Sequence, residues 1–204
     1  RGMHELNYDV DDARLADTVV LWGANAYETA TILYTEHIMP NLQGGSVEDK
    51  KKAFESGEPA AEGLIVIIDP RKTATVTISQ DIAADRVLHI RPNLGTDWIL
   101  ANAIARIIWE NSWYDKEFLQ KRTDMKTFEE YKQKSLQAAK PLASVLAEAE
   151  RITGIPKAQM QQAAEWISKP KEGGFKRRTL TLYEKGIIWN MKNYDQVAAI
   201  AQLN

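Results

Sequence analysis

The sequence predicts an α/β fold: a three-layer sandwich, a mostly parallel sheet with helices on both faces. Two observations carry that expectation. Thr18-Val19-Val20-Leu21-Trp22 and Leu64-Ile65-Val66-Ile67-Ile68 are continuously apolar runs of strand length. Continuous rather than alternating apolarity marks strands buried on both faces. Helical patterns separate and follow these runs in the order β-α-β-β-α-α-α-β-α, the alternation that winds a parallel sheet. With 204 residues the chain is long enough for one generous domain, and a single domain over 1–204 is the expectation.

Each element has its own local reason. Asp12 to Asp17 is a polar helical lead-in, and Gly23 closes the first strand. Ala26 to Met39 reads as a helix with Ala30, Ile32, Leu33 and Ile38 on its apolar side, and Pro40 is expected to end it. Residues 43–63 hold Gly44-Gly45, Lys50-Lys51-Lys52, Gly57 and Pro59, the composition of an exposed insertion with a helical turn or two. Arg86 to Ile90 is a short third strand. Leu94-Gly95-Thr96-Asp97 then introduces the clearest helix, Trp98 to Glu110, whose Ile99, Leu100, Ala103, Ile104, Ile107 and Ile108 recur at helical spacing. Thr96 or Asp97 is placed to cap it. Asp115 to Trp166 is helical, with breaks near Pro141 and at Thr153-Gly154-Ile155-Pro156, where Pro156 begins another helix. Arg178 to Tyr183 is a fourth strand, and Asn193 caps a final helix over Tyr194 to Leu203. There is no internal repeat.

Composition excludes several chemistries. The chain has no cysteine, which removes disulfides, thiolate metal sites, cysteine nucleophiles and cysteine-ligated iron–sulfur clusters from these residues. Lys+Arg 26 against Asp+Glu 28 gives a formal charge of −2, no electrostatic reason to expect nucleic acid or an anionic membrane. The longest apolar run, Leu64 to Ile68, is far too short to span a bilayer, and the first residues are not a secretory signal. His4, His37 and His89 lie too far apart in sequence for a metal motif, and no G-x-S-x-G elbow exists. The six tryptophans read as core or interface anchors. An abrupt start and an end inside a helical pattern suggest part of something longer.

In a parallel α/β domain the ligand sits beyond the carboxyl ends of the strands. Gly23 to Glu28, Asp69 to Thr73 and Glu184 to Trp189 leave such ends. The first loop lacks both G-x-G-x-x-G and G-x-x-x-x-G-K-[ST]. Two readings of it stand: Gly23 permits a tight turn and Asn25 caps the helix, or the loop and helix start favour a phosphate. Asp69, ending the second strand, is placed to accept from a ribose hydroxyl or a base amino edge, with Arg71 and Lys72 toward phosphate. The alternative is an Asp-Pro turn whose arginine pairs with a surface acid.

Several strings together resemble the molybdopterin oxidoreductase (dimethyl sulfoxide reductase) superfamily. They are Leu15-Ala16-Asp17 before Val20-Leu21-Trp22-Gly23-Ala24-Asn25, then Ile68-Asp69-Pro70-Arg71-Lys72-Thr73, then Gly95-Thr96-Asp97. Glu5-Leu6-Asn7, Asp12 to Asp17, Pro40 to Gly44, Ala164-Glu165-Trp166 and Tyr183 to Trp189 look like the large subunits of arsenite oxidases. Each string is weak alone, and their ordered combination over nearly the whole chain is specific. The resemblance implies a Rossmann-like domain that holds molybdenum bis(molybdopterin guanine dinucleotide) within a longer multidomain oxidoreductase. It implies that Gly23 and Asn25, with Glu28, approach the pyrophosphate. Asp69 would take the guanosine, Pro70 and Arg71 would shape its pocket, and Asp97 would accept from the guanine N–H edge. Gly186, Lys185 and Trp189 would lie near the pterin. Glu5 would be the catalytic residue, in the substrate funnel.

The iron–sulfur cluster, a second pterin domain and a histidine-bearing substrate motif would lie outside this chain. A Rieske-type small subunit, the rest of the large subunit and a periplasmic location are likewise implied only by the resemblance. The reaction implied is arsenite plus water to arsenate, two protons and two electrons, with the isolated chain inactive. The alternatives are an iodate or nitrate reductase-like enzyme of the same superfamily, or a free-standing Rossmann-like nucleotide-binding module.

Overall fold

A computed structural model describes residues 9–189 and 192–203. Four strands, β1 (Thr18–Trp22), β2 (Leu64–Ile68), β3 (Val87–Ile90) and β4 (Thr179–Tyr183), form one sheet in the order β3-β2-β1-β4. Every pairing is parallel, with Thr18 beside both Leu64 and Thr179. The helices are α1 (Val10–Leu15), α2 (Ala26–Thr29), α3 (Thr31–Leu33), α4 (Met39–Gln43), α5 (Val47–Ala53) and α6 (Ala74–Ala83). They continue with α7 (Asp97–Glu110), α8 (Lys116–Arg122), α9 (Met125–Lys134), α10 (Leu142–Thr153), α11 (Lys157–Ser168), α12 (Lys185–Ile188) and α13 (Asn193–Leu203).

The sheet separates two cores by simple strand alternation. Val20, Trp22, Val66, Ile68, Leu88 and Ile90 face α7, α10, α11 and α13. Val19, Leu21, Ile65, Ile67 and Val87 face α1, α2, α4 and α6. All five β1 residues are buried, which is why that strand reads as continuously apolar. The chain winds from β1 through β2 to β3 with one helical layer, then returns past β1 to β4 with the other. Right-handed crossovers require that change of face when the winding direction reverses. The reversal makes a switch point between β1 and β4, at whose carboxyl ends an α/β sheet opens a crevice.

Several local expectations need correction. The helical path continues through Pro40 to Gln43, because a π-helical stretch, Tyr34–Ile38, precedes it and Pro40 falls in the first turn of α4. Gly44, at φ 88°, ends the helix instead. Pro156 sits at the N-cap of α11 rather than inside it. Asn193 is the first residue of α13 rather than its cap, and its Oδ1 accepts from Tyr194 N.

Residues 43–63, expected as an exposed insertion, are largely exposed and are anchored inward at a few side chains. Ser46, Lys50 and Phe54 are buried, and the Lys50 ammonium, with no exposure, donates to Ala61 O at 2.8 Å. Burial pushes its pKa down to about 8. At the amino end of the sheet, the Glu58 carboxylate is 2% exposed and meets Lys171 Nζ at 2.5 Å and Arg178 Nη2 at 2.9 Å. Lys171 also reaches Asp17 at 2.8 Å, so the insertion is tied to the residues that precede β1 and β4.

Candidate functional site

The carboxyl ends of the strands form a cleft of about 160 Å³. Gly23, the Asp69-Pro70-Arg71 turn, the loop from Pro92 to Gly95, Asp97 and Gly186 surround it. All four strand ends therefore contribute, as the parallel topology requires.

The floor of the cleft is a backbone contact across the switch point. Gly23 N donates to Ile68 O at 2.8 Å, and Gly186 N donates to Gly23 O at 3.2 Å. A Cβ on Gly186 would lie 2.7 Å from Gly23 O and 2.8 Å from its Cα. Gly23 itself has φ +58°, a left-handed conformation that side chains penalise. Only two glycines let these turns meet.

Asp69 is 5% exposed, and its Oδ1 accepts from Arg71 N at 2.8 Å, the Asx-type turn that Asp-Pro chemistry favours. The Arg71 guanidinium lies 3.7 Å from the same oxygen and remains mostly exposed. Strand β3 and the residue after it hold this turn from the side: His89 Nε2 donates to Asp69 O at 2.9 Å, and Arg91 Nε donates to Pro70 O at 3.2 Å.

Asp97 opens α7, with Thr96 at the N-cap and no side-chain cap bond from it. The Asp97 carboxylate accepts from its own backbone N–H and also reaches the sheet, where its Oδ1 accepts from Trp22 Nε1 at 2.9 Å. Burial raises the Asp97 pKa above the ordinary carboxylate value; the Trp22 hydrogen bond opposes this and the nearby Asp69 charge adds to it. Two carboxylates thus face one small cleft, close enough to feel each other.

Asn25 is at the N-cap of α2 but makes no side-chain cap bond. Its Oδ1 accepts from Thr75 Oγ1 at 2.7 Å, tying the first loop to α6, and its Nδ2 donates to Glu28. The Asn25 side chain therefore ties the first loop to α6, and Glu28 beside it lies exposed. Lys185 and Trp189 are exposed, with the ammonium 5.3 Å from the indole centroid. Glu5 lies outside the described residues. Among the described residues no group of three metal-ligating side chains occurs, and no helix is long and apolar enough to cross a membrane.

Gly23, Asp69, Pro70, Arg71, Asp97 and Gly186 are brought together. Trp22 belongs with them although its residue type alone reads as core. Its place as the last residue of β1, directly before Gly23, is the signal that would have found it.

Residues 1–203 match the molybdopterin oxidoreductase family. The chain is 41% identical to the arsenite oxidase subunit AioA of Herminiimonas arsenicoxydans, over 99% of its own length and 23% of that protein. It is 30% identical to the iodate reductase subunit IdrA of Denitromonas iodatirespirans, over 92% of its length and 21% of the relative. A nitrate reductase of Symbiobacterium thermophilum is 29% identical over 91% of the chain and 21% of the relative. Among solved structures, acetylene hydratase from Pelobacter acetylenicus superposes with TM-score 0.65 and 16% identity, over 94% of this chain and 21% of that one. The chain spans less than a quarter of the length of these relatives.

Proposed function

This chain belongs to the molybdopterin oxidoreductase family, and on that premise we propose that it is the part of an arsenite oxidase-like enzyme that holds the guanine dinucleotide end of the molybdopterin cofactor. The observation that carries the reading is the pair Asp69 and Asp97 facing one cleft above the Gly23·Gly186 contact. Carboxylates only accept hydrogen bonds when ionised, and guanine presents two donors side by side, N1–H and the 2-amino group. Ribose hydroxyls offer donors of the same kind to Asp69. The cleft is small against the roughly 300–1,000 Å³ of ordinary ligand pockets, which suits a site shared with other parts of a longer protein.

Each residue has a defined task in this reading. Asp97 accepts from the base edge, and Asp69 accepts from the ribose while its turn fixes Arg71 above the cleft. Arg71, planar and mostly exposed, is available to a phosphate oxygen. Gly23 and Gly186 keep side chains out of the cofactor's path, and Lys185 and Trp189 line the pterin side. Glu5, in the matching string, relays protons near the substrate. Bound molybdenum would supply the two-electron, oxygen-transfer chemistry, which on this reading converts arsenite and water to arsenate, two protons and two electrons. A Rieske-type small subunit as electron acceptor and a periplasmic location complete the proposal. The 41% identity to AioA supports the substrate.

A second reading keeps the site and takes iodate or nitrate as substrate, favoured by relatives at 30% and 29% identity. Assaying the longer protein with arsenite, iodate and nitrate separates the two. For the site itself, calorimetry of the folded chain with GDP should detect binding that Asp97→Asn weakens by about 1–3 kcal/mol, the cost of mispairing a buried polar group. A folded chain that binds no GDP at millimolar concentration contradicts the site.

A further inference from the structure

We propose that Trp22 is the positioning residue for base recognition: the specificity for a guanine edge belongs to the Trp22–Asp97 pair and not to Asp97 alone. The inference rests on the guanine-site reading above and deepens it. Asp97 is the first residue of α7, and Thr96 makes no side-chain cap bond at that end. An acid at this position ordinarily lies along the helix end toward its free N–H groups. Here the carboxylate keeps a hydrogen bond from its own backbone N–H and is also held to the sheet, because the Trp22 indole N–H donates to Oδ1 at 2.9 Å.

Trp22 cannot swing away. It has no exposure, is the last residue of β1 and packs in the core with Ile68, Ile90, Leu100 and Ile104. Its neighbour Gly23 is fixed by hydrogen bonds to β2 and to the turn after β4. An indole is a donor only, so it takes one of the carboxylate's acceptor sites and the Asp97 backbone N–H another, which leaves two for a ligand. The strand end therefore sets the plane of the carboxylate, and a base with two adjacent donors matches it. A purine that lacks the 2-amino group leaves one acceptor site unmatched, and adenine places an acceptor where N1–H would be.

The pair also joins two strings that are distant in sequence, Trp22-Gly23 and Gly95-Thr96-Asp97, into one unit. Fixed acceptors discriminate more sharply between ligands than mobile ones, since a mispaired ligand is not rescued by rotation.

The test compares GDP, IDP and ADP on the 204-residue chain by calorimetry, with two changes at position 22. Trp22→Phe removes the donor and shrinks the ring. Replacement by benzothienylalanine keeps the ring's shape and puts sulfur where the indole has N–H, so it separates loss of the donor from loss of packing. In the unchanged chain GDP binds best. Both variants should lower the GDP preference over IDP by about tenfold, an amount set by one charge-assisted hydrogen-bond geometry. The indole proton–nitrogen resonance of Trp22 should shift as Asp97 titrates, and Asp97→Asn should abolish that shift. A benzothienyl chain with full GDP preference overturns the inference and leaves the guanine site standing, provided Asp97→Asn still weakens GDP. An unchanged chain that shows no GDP preference overturns the guanine-site reading itself.

Discussion

Gly186 N donates to Gly23 O at 3.2 Å, so the turn after β4 rests directly on the turn after β1. These turns flank the switch point of the sheet, where the loops of an α/β fold ordinarily part. Their contact gives the cleft a backbone floor made without side chains.

Gly186→Ala is expected to destabilise the chain by about 1–3 kcal/mol, the usual range for forcing an extra methyl into a packed site. The added Cβ would meet backbone atoms of Gly23, which have no flexible end to move aside. Urea denaturation checks this, and unchanged stability would show that the two turns are not held together. GDP affinity should fall with it.

Asp97→Asn is expected to separate stability from binding. Burial holds the Asp97 pKa above its ordinary value, so folding is less favourable with this carboxyl ionised than with it protonated. Its contribution is complete below the unfolded pKa and is lost as pH rises through the folded one. At neutral pH the amide, which is neutral and can still accept from Trp22, should leave Tm unchanged or higher than in the original chain. That advantage should disappear in acid. A lower Tm at neutral pH contradicts this account.

Glu58→Gln should cost about 3 kcal/mol, the loss expected when one partner leaves a buried ion cluster. The Arg178 hydrogen bond, with that of Lys171, holds the Glu58 pKa down at about 2, against the ordinary 4.5. A depressed carboxyl contributes stability that is complete above the ordinary value and lost as pH falls toward about 2. The original chain should therefore lose stability over that acid range, and Glu58→Gln should lose less. Identical acid profiles would remove Glu58 from the explanation.

Lys50→Met probes the insertion at alkaline pH. Burial lowers the Lys50 pKa to about 8 from 10.5, so the unfolded chain binds the extra proton between those values. Stability should rise through that window in the original chain relative to Lys50→Met, which has no proton to release. Parallel curves would mean that Lys50 is solvated.

The sheet was legible because burial on both faces writes itself as uninterrupted β-branched and aliphatic runs, as in β1 and β2. The strand ends were legible for the same reason, since Gly23 and Asp69 interrupt those runs. What escaped the sequence depends on distance in the chain. Nothing near Pro40 announces the π-helical stretch that carries the helix past it. Lys50-Lys51-Lys52 reads as solvated, and only the fold turns Lys50 inward to Ala61 O while its neighbours stay outside. Trp22 and Asp97 are 75 residues apart, so their bond is visible only once β1 and α7 are packed. The Asn25 side chain is similar, with its partner Thr75 in a helix 50 residues away.

Backbone amide shift mapping of the 204-residue chain with GDP tests the central claim most directly. The account predicts perturbations at Gly23, Asp69, Arg71, Gly95, Asp97 and Gly186. It predicts none at the second cleft, about 170 Å³, between Trp109, Tyr114, Phe128 and Lys132. Perturbations confined to that second cleft, or none anywhere in a folded chain at millimolar GDP, would contradict it.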